Sequence, residues 1–271
     1  MKRKNEGFTL VELIVVVVLL GILGTATFAF LGFGGNVFRD SVERSALASE
    51  GRFIVTRLSR ELKNALPMSV RVNGTCVEFA PISASSLYLT LPTVSVDSDF
   101  IVADSGFIEV LDDYVGSRVF VYANTSENIY GSVPGDERWY VIQGVTSAGN
   151  ELTFDIDGER FSRESPARRY YIVESPVSWC QSSGNLYRYE GYNWSETQPT
   201  QAQLSADCAL GGCEESLMGT QLNTPPGVEI FRVEEPTLVR SALVQVELHL
   251  QRLNSNEVLI FLHEVHLPNV P

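Results

Sequence analysis

Between Phe8 and Phe38 the chain carries one charged side chain, Glu12. A carboxylate inside an apolar layer costs about 2.5–3.5 kcal/mol on insertion scales, so it normally has a partner or a task. The other residues able to do chemistry are scattered. Cys76, Cys180, Cys208 and Cys213 offer either thiolate ligands or disulfides. Zinc fails on spacing, because there is no Cys-x-x-Cys pair and no adjacent histidine. An even number of cysteines in an exported domain points to two disulfides. Three pairings are open; the short loop through Ala209, Leu210, Gly211 and Gly212 favours Cys208–Cys213, which leaves Cys76–Cys180. His263 and His266 would share a metal on a helix but face opposite sides of a strand. Asp155-Ile156-Asp157-Gly158 opens like a calcium loop and lacks the later ligands, and Asp112-Asp113 is equally ambiguous. A calcium site therefore stays open, with solvated loop acids as the plainer reading; no other cofactor and no metal residue is assigned. No G-x-S-x-G, Walker or dinucleotide-binding pattern occurs, so the chain is not expected to be an enzyme and no residue is assigned as catalytic.

The element that must position Glu12 is an apolar run from Phe8 to Phe33. As a helix it would span roughly 39 Å at about 1.5 Å per residue. A bilayer core needs about 30 Å. A secretory signal has an apolar core of about 7–15 residues, which is shorter than this run, and does not usually hold a carboxylate. Lys2, Arg3 and Lys4 precede the run and should stay cytoplasmic, which exports the C-terminal bulk. The net charge of −13 argues against non-specific nucleic-acid binding, which needs a basic surface. The 271 residues suffice for one well-cored domain or two small ones.

The string Gly7-Phe8-Thr9-Leu10-Val11-Glu12-Leu13 follows the basic leader and precedes Ile14-Val15-Val16-Val17-Val18-Leu19-Leu20. It resembles the class III signal of type IV pilins and type II secretion pseudopilins. That resemblance covers residues 1 to about 35. It implies that a prepilin peptidase cuts after Gly7 and methylates the new amine of Phe8. Glu12 becomes the fifth residue of the mature chain and neutralises the Phe8 amine of a neighbouring subunit. Each charge alone is costly in an apolar layer, whereas the pair is far less so. The extreme-tip pseudopilin of the family lacks this glutamate, so its presence here implies another subunit above this one.

Gly21, Gly24, Gly32, Gly34 and Gly35 interrupt the run, as a hinge at 32–35 or as small residues for close helix packing. Residues 36–66 read as an amphipathic helix, with Val42, Ala46, Phe53, Leu58, Leu62 and Leu66 at about helical spacing and Pro67 ending it. The expected organisation is leader 1–7, membrane and filament helix 8–35, amphipathic helix 36–66 and exported head 67–271. Within the head, 75–79, 86–91, 118–122, 139–142, 151–156, 169–173 and 186–189 are rich in β-branched and aromatic residues and read as strands. Ala242, Val244, Val246, Leu248 and Leu250 alternate with polar residues, and the chain returns over 257–267 as a hairpin. Residues 182–226 read as an extended loop region stapled by a disulfide. The fold class is α+β: a long N-terminal helix packed on antiparallel sheet, as in type IV pilins.

The head segments Phe161–Val173, Pro176–Cys180, Leu186–Tyr192 and His263–Pro271 look like those of the MshO-type minor pilins of the mannose-sensitive haemagglutinin (MSHA) pilus. Arg57-Leu58-Ser59-Arg60-Glu61-Leu62 also resembles the J-type pseudopilins and W-type minor pilins. The resemblance implies a filament subunit acting in pilus assembly. Its partners would be the prepilin peptidase, other minor and major pilins and the inner-membrane assembly platform. It would sit in the bacterial inner membrane as a single-pass protein with a periplasmic head, and outside the cell after assembly. A J-like pseudopilin is the nearest alternative. A tip adhesin is another, motivated by the aromatic segment from Trp179 to Trp194.

Overall fold

The computed structural model describes residues 9–96, 98–104, 111–131, 134–234, 242–253 and 255–267. Gly7 and Phe8 lie outside the described residues. The chain divides into two compact units, residues 1–49 and 50–271.

One α-helix, α1 (Leu10–Lys63), takes in both the apolar run and the amphipathic stretch. It passes through Gly32, Gly34 and Gly35 without a break. It stops at Lys63, short of Pro67, for a reason outside the helix. The Ile82 N–H donates to the Asn64 carbonyl, Asn64 Nδ2 donates to the Ile82 carbonyl, and the Leu66 N–H donates to Ala80. A neighbouring strand thus satisfies the backbone groups that another helical turn would have used.

The remainder is β-rich. In chain order it holds β1 (Arg71–Asn73), β2 (Cys76–Phe79), β3 (Ile82–Thr90), β4 (Phe100–Ala103), a single 3₁₀ turn (Leu111–Tyr114), β5 (Arg118–Phe120) and α2 (Ser126–Tyr130). There follow β6 (Trp139–Val141), β7 (Gly144–Ala148), β8 (Glu151–Asp155), β9 (Arg169–Val173), β10 (Val177–Ser182) and β11 (Asn185–Glu190). The last elements are α3 (Gln201–Ala209), β12 (Glu214–Gly219), β13 (Phe231–Glu234), β14 (Leu243–Gln251) and β15 (Val258–His266). They build a five-stranded sheet in the order β1-β2-β10-β11-β12, a three-stranded sheet β13-β14-β15, and a seven-stranded sheet β6-β5-β9-β3-β4-β8-β7. Each pairing between named strands is antiparallel. The fold is therefore α+β and pilin-like in architecture, a long apolar N-terminal helix followed by antiparallel sheet.

Residues 182–226 are not an extended loop region. They contain β11, α3 and β12. Thr200 caps α3 through a reciprocal capping box with Gln203, which satisfies two backbone donors that would otherwise be orphaned. The helix was hidden because Leu204 is its only buried residue, so no apolar stripe marks it.

The core of the second unit begins on the last turns of α1. Ile54, Leu58 and Leu62, spaced four apart, are fully buried. Two glycines allow the helix to come close to the sheets. A Cβ on Gly51 would collide with the ring of Phe261 on β15, and one on Gly219 at the end of β12 would lie 2.5 Å from Ile54 Cδ1. Val244, Val246, Leu248 and Leu250 of β14 face inward, all at 2% exposure or less. A separate cluster around Phe100, Phe154, Phe161 and Tyr170 fills the seven-stranded sheet. Phe100 meets the other three rings edge-on, the geometry that ring quadrupoles favour.

The disulfides are Cys76–Cys180 and Cys208–Cys213. Cys76 and Cys180 stand opposite each other across β2 and β10. Their bridge spans 104 residues. Closing so long a loop restricts the unfolded chain most, so the Cys76→Ala/Cys180→Ala pair should lower stability by about 2–5 kcal/mol. The Cys208→Ala/Cys213→Ala pair, closing a separation of 5, should lose clearly less. Urea unfolding of both variants against wild type measures the difference; equal losses would contradict the loop-length argument.

Candidate functional site

Thr9 sits just before α1, where its carbonyl accepts from the Leu13 N–H at 3.1 Å and its Oγ1 accepts from the Glu12 N–H at 3.3 Å. Threonine is favoured at this capping position because its hydroxyl satisfies a donor of the first turn. Glu12 lies in that first turn, where the helix dipole favours a negative charge. Its side chain is exposed, and the carboxylate meets no partner among the described residues.

From Leu10 onward the helix presents apolar side chains outward. Leu10, Phe28, Phe30 and Phe38 are each more than 70% exposed. The most apolar window has a mean hydropathy of 2.7, and none of it is buried. The helix is thus long and apolar enough to cross a membrane. Its few hydroxyls do not oppose that, since Thr25 Oγ1 donates to the Ile22 carbonyl at 2.9 Å and Thr27 Oγ1 to Leu23 at 2.7 Å. Nothing stands within 4 Å of a Cβ built at Gly21, Gly24, Gly32, Gly34 or Gly35, so these positions are notches on the helix surface. Charge resumes at Arg39, which pairs along the helix with Glu43 at 3.9 Å.

In the second unit the polar residues that sequence reading singled out are spread apart. His263 and His266 fall on opposite faces of β15, the first half-buried and the second exposed. Asp155 Oδ1 accepts from the Asp157 N–H at 2.9 Å and so closes a turn, with Asp157 and Gly158 both at positive φ. Asp113 is exposed in the 3₁₀ turn, and the side chain of Asp112 is outside the description. Among the described residues no group of three or more His, Cys, Asp or Glu is placed to hold a metal ion. Trp194 packs on Phe120 and Tyr130, each at 5.7 Å between ring centroids, and its Nε1 donates to the Glu174 carbonyl at 3.0 Å.

Sequence reading missed a buried polar network. Glu78 of β2 is wholly buried and accepts from Arg71 Nε at 2.5 Å and from the Tyr192 hydroxyl at 3.0 Å. Arg71 also donates to the carbonyls of Glu196 at 2.6 Å and Ser195 at 2.8 Å, and lies over the Tyr130 ring at 3.5 Å. Arg71 is thus bonded through all three of its nitrogens, and the network locks β1 and β2 to the 192–196 segment. No spacing rule finds it, because Glu78 and Tyr192 are 114 residues apart.

Burial raises the Glu78 pKa above its ordinary 4.5, and the opposing hydrogen bonds and charge of Arg71 do not fully offset this. The folded chain therefore holds the Glu78 proton more tightly than the unfolded chain. This contribution to stability is full below pH 4.5 and is lost as pH rises through the folded value. In Glu78→Gln that slope should vanish. Urea midpoints of both chains from pH 4 upward test this; an identical pH profile in the variant would rule Glu78 out as the source.

No curated protein and no solved structure matches the chain significantly. Residues 2–28 match the family model described as the prokaryotic N-terminal methylation motif, and this match, on a helix able to cross a membrane, supports a membrane-anchored chain of the type IV pilin and pseudopilin kind.

Proposed function

We propose that the chain is a minor subunit of an MSHA-like type IV pilus, acting in filament assembly and having no enzymatic activity. The observation that carries this reading is Glu12. It is the single charge between Phe8 and Phe38, exposed in the first turn of α1, inside the segment matched by the methylation motif. Prepilin peptidase removes residues 1–7 and methylates Phe8. α1 holds the subunit in the inner membrane with the head in the periplasm, then packs among other pilins as the filament grows. Glu12 pairs with the Phe8 amine of an adjacent subunit, and the pairing sets the axial register.

Mass spectrometry of the N-terminus from cells with and without the peptidase tests the first step. The expected terminus is N-methylated Phe8 only when the peptidase is present. A retained leader, or cleavage near Ala29, would overturn the assignment. A J-like pseudopilin of type II secretion would be processed identically. A deletion strain separates the two: pilus loss with normal secretion supports the pilus reading, and the reverse supports the pseudopilin.

A further inference from the structure

β15 forms one edge of its sheet, and that edge is open. Its register with β14 runs without a shift from Leu243↔His266 to Gln251↔Val258. Just beyond the two ends, the Arg252 N–H donates to the Glu257 carbonyl and the Leu267 N–H to the Ala242 carbonyl. Hydrogen-bonded pairs alternate along an antiparallel ladder, so the odd-numbered residues of β15 are those bonded to β14. The N–H and C=O groups of Val258, Ile260, Leu262 and Glu264 therefore point away from β14. Among the described residues they meet no backbone partner there. The far side of β14 is filled by contrast. Its Glu247 N–H donates to Ile230, its Gln251 N–H donates to Gln221, and its His249 carbonyl accepts from Asn223. The side chains beside the open ladder are exposed as well, Val258 at 40%, Ile260 at 54% and Leu262 at 74%.

Sheet edges are ordinarily blunted by shortness, charge or a bulge, because an open ladder recruits another strand. The other edges follow that rule. β1 and β6 have three residues each, and β13 has four, two of them charged. β12 carries Glu214, Glu215 and a register shift, and β7 is Gly-Val-Thr-Ser-Ala. β15 has nine residues, no proline, no lysine and no shift.

The open edge is complementary to itself. When β15 is set antiparallel to its own copy and centred on Ile260, Ile260 faces Ile260 and Val258 faces Leu262. The same register sets Glu257 against His263 and Glu264 against Asn256, so each carboxylate meets a nitrogen-bearing side chain. Sliding the copy by two residues sets Glu257 against Phe261 in one direction and against Val265 in the other. The two Glu264 side chains stand about 27 Å apart at about 3.4 Å per residue, well beyond the screening length at physiological salt. We propose that β15 pairs with β15 of a second copy about a two-fold axis at Ile260, joining the two sheets into one. The pairing does not rest on the filament assignment, and each can fail without the other.

The test is cross-linking of the full chain in a non-ionic detergent. The four cysteines are bridged in two disulfides, so Ile260→Cys adds the one free thiol. A short bis-maleimide should join this variant into a covalent dimer, since residues of a hydrogen-bonded pair stand about 5.5 Å apart. Glu264→Cys, on the same face of the same strand, should stay monomeric under the same treatment. Ile260→Lys, at an exposed position, should keep the urea midpoint. It should weaken dimerisation at least about tenfold in sedimentation, because like charges then meet at the axis. Equal cross-linking of the two cysteine variants would place the association elsewhere and overturn the proposal. Folded Ile260→Cys that gives no dimer overturns it too. Cross-linking of Ile260→Cys in cells to a different polypeptide would replace the second copy with another chain.

Discussion

Replacing Glu61 with alanine is expected to lower the unfolding free energy by about 3 kcal/mol. Glu61 projects from the last turns of α1 and gathers three donors. Its Oε2 accepts from Trp179 Nε1 at 2.9 Å, both oxygens accept from Arg188 Nε at 3.1 Å, and Oε1 accepts from Arg57 Nε at 3.2 Å. Trp179 is fully buried, so alanine would leave its N–H without a partner. The Arg188 side chain is 11% exposed and among the described residues would keep only Glu190 as an ion-pair partner, at 2.6 Å. Against the lowering effect of burial, Glu190 and Glu61 together hold the Arg188 pKa above its ordinary value. Losing one of them leaves a shielded cation half-compensated. Glu61→Gln keeps one acceptor oxygen and the same shape, so its loss should be smaller, about 1–2 kcal/mol. Urea denaturation of the full chain in detergent gives both numbers. A loss below about 1 kcal/mol for alanine, or equal losses for the two variants, would show that water readily replaces Glu61.

Glu61 also marks the boundary of what the sequence can disclose. The apolar run, Glu12 and the basic leader are local signals, readable from charge and hydropathy over a few turns. The β14–β15 hairpin is equally local, because strict alternation assigns one face to the core. Glu61, Arg188 and Trp179 come together only in the folded chain, at separations of 118 and 127 residues. Each looks like a surface charge or a core aromatic when taken alone. The end of α1 has the same origin, since Asn64 is claimed by Ile82 rather than by the next helical turn. β1 and β7 carry no aromatic residue, unlike the equally short β2, β5, β6, β8 and β9, so composition does not mark them as strands. The capping box at Thr200 and Gln203 was a readable local signal for α3, outweighed by the Gly, Ser, Thr and Gln content around it.

Glu12→Leu should leave processing intact and remove the subunit from filaments. In the proposed processing the peptidase cuts between Gly7 and Phe8, four residues before Glu12, so the terminus should still be N-methylated Phe8. On the proposed mechanism, the Phe8 amine left by the cut is a positive charge that enters an apolar layer among neighbouring helices. With Glu12 gone from the adjacent subunit, that charge goes in uncompensated, at about 2.5–3.5 kcal/mol. At 1.4 kcal/mol per decade, incorporation falls by about two orders of magnitude. The exposed, unpartnered carboxylate on the first turn of α1 is consistent with a group whose partner belongs to another chain. Glu12→Asp keeps the charge on a shorter arm and should retain part of the incorporation. The measurement is the amount of subunit in sheared filaments relative to membranes, by immunoblot, beside mass spectrometry of the N-terminus. A leucine variant that enters filaments at the wild-type level would remove the pairing from the mechanism. One that is neither cut nor methylated would move the role of Glu12 from assembly to recognition by the peptidase.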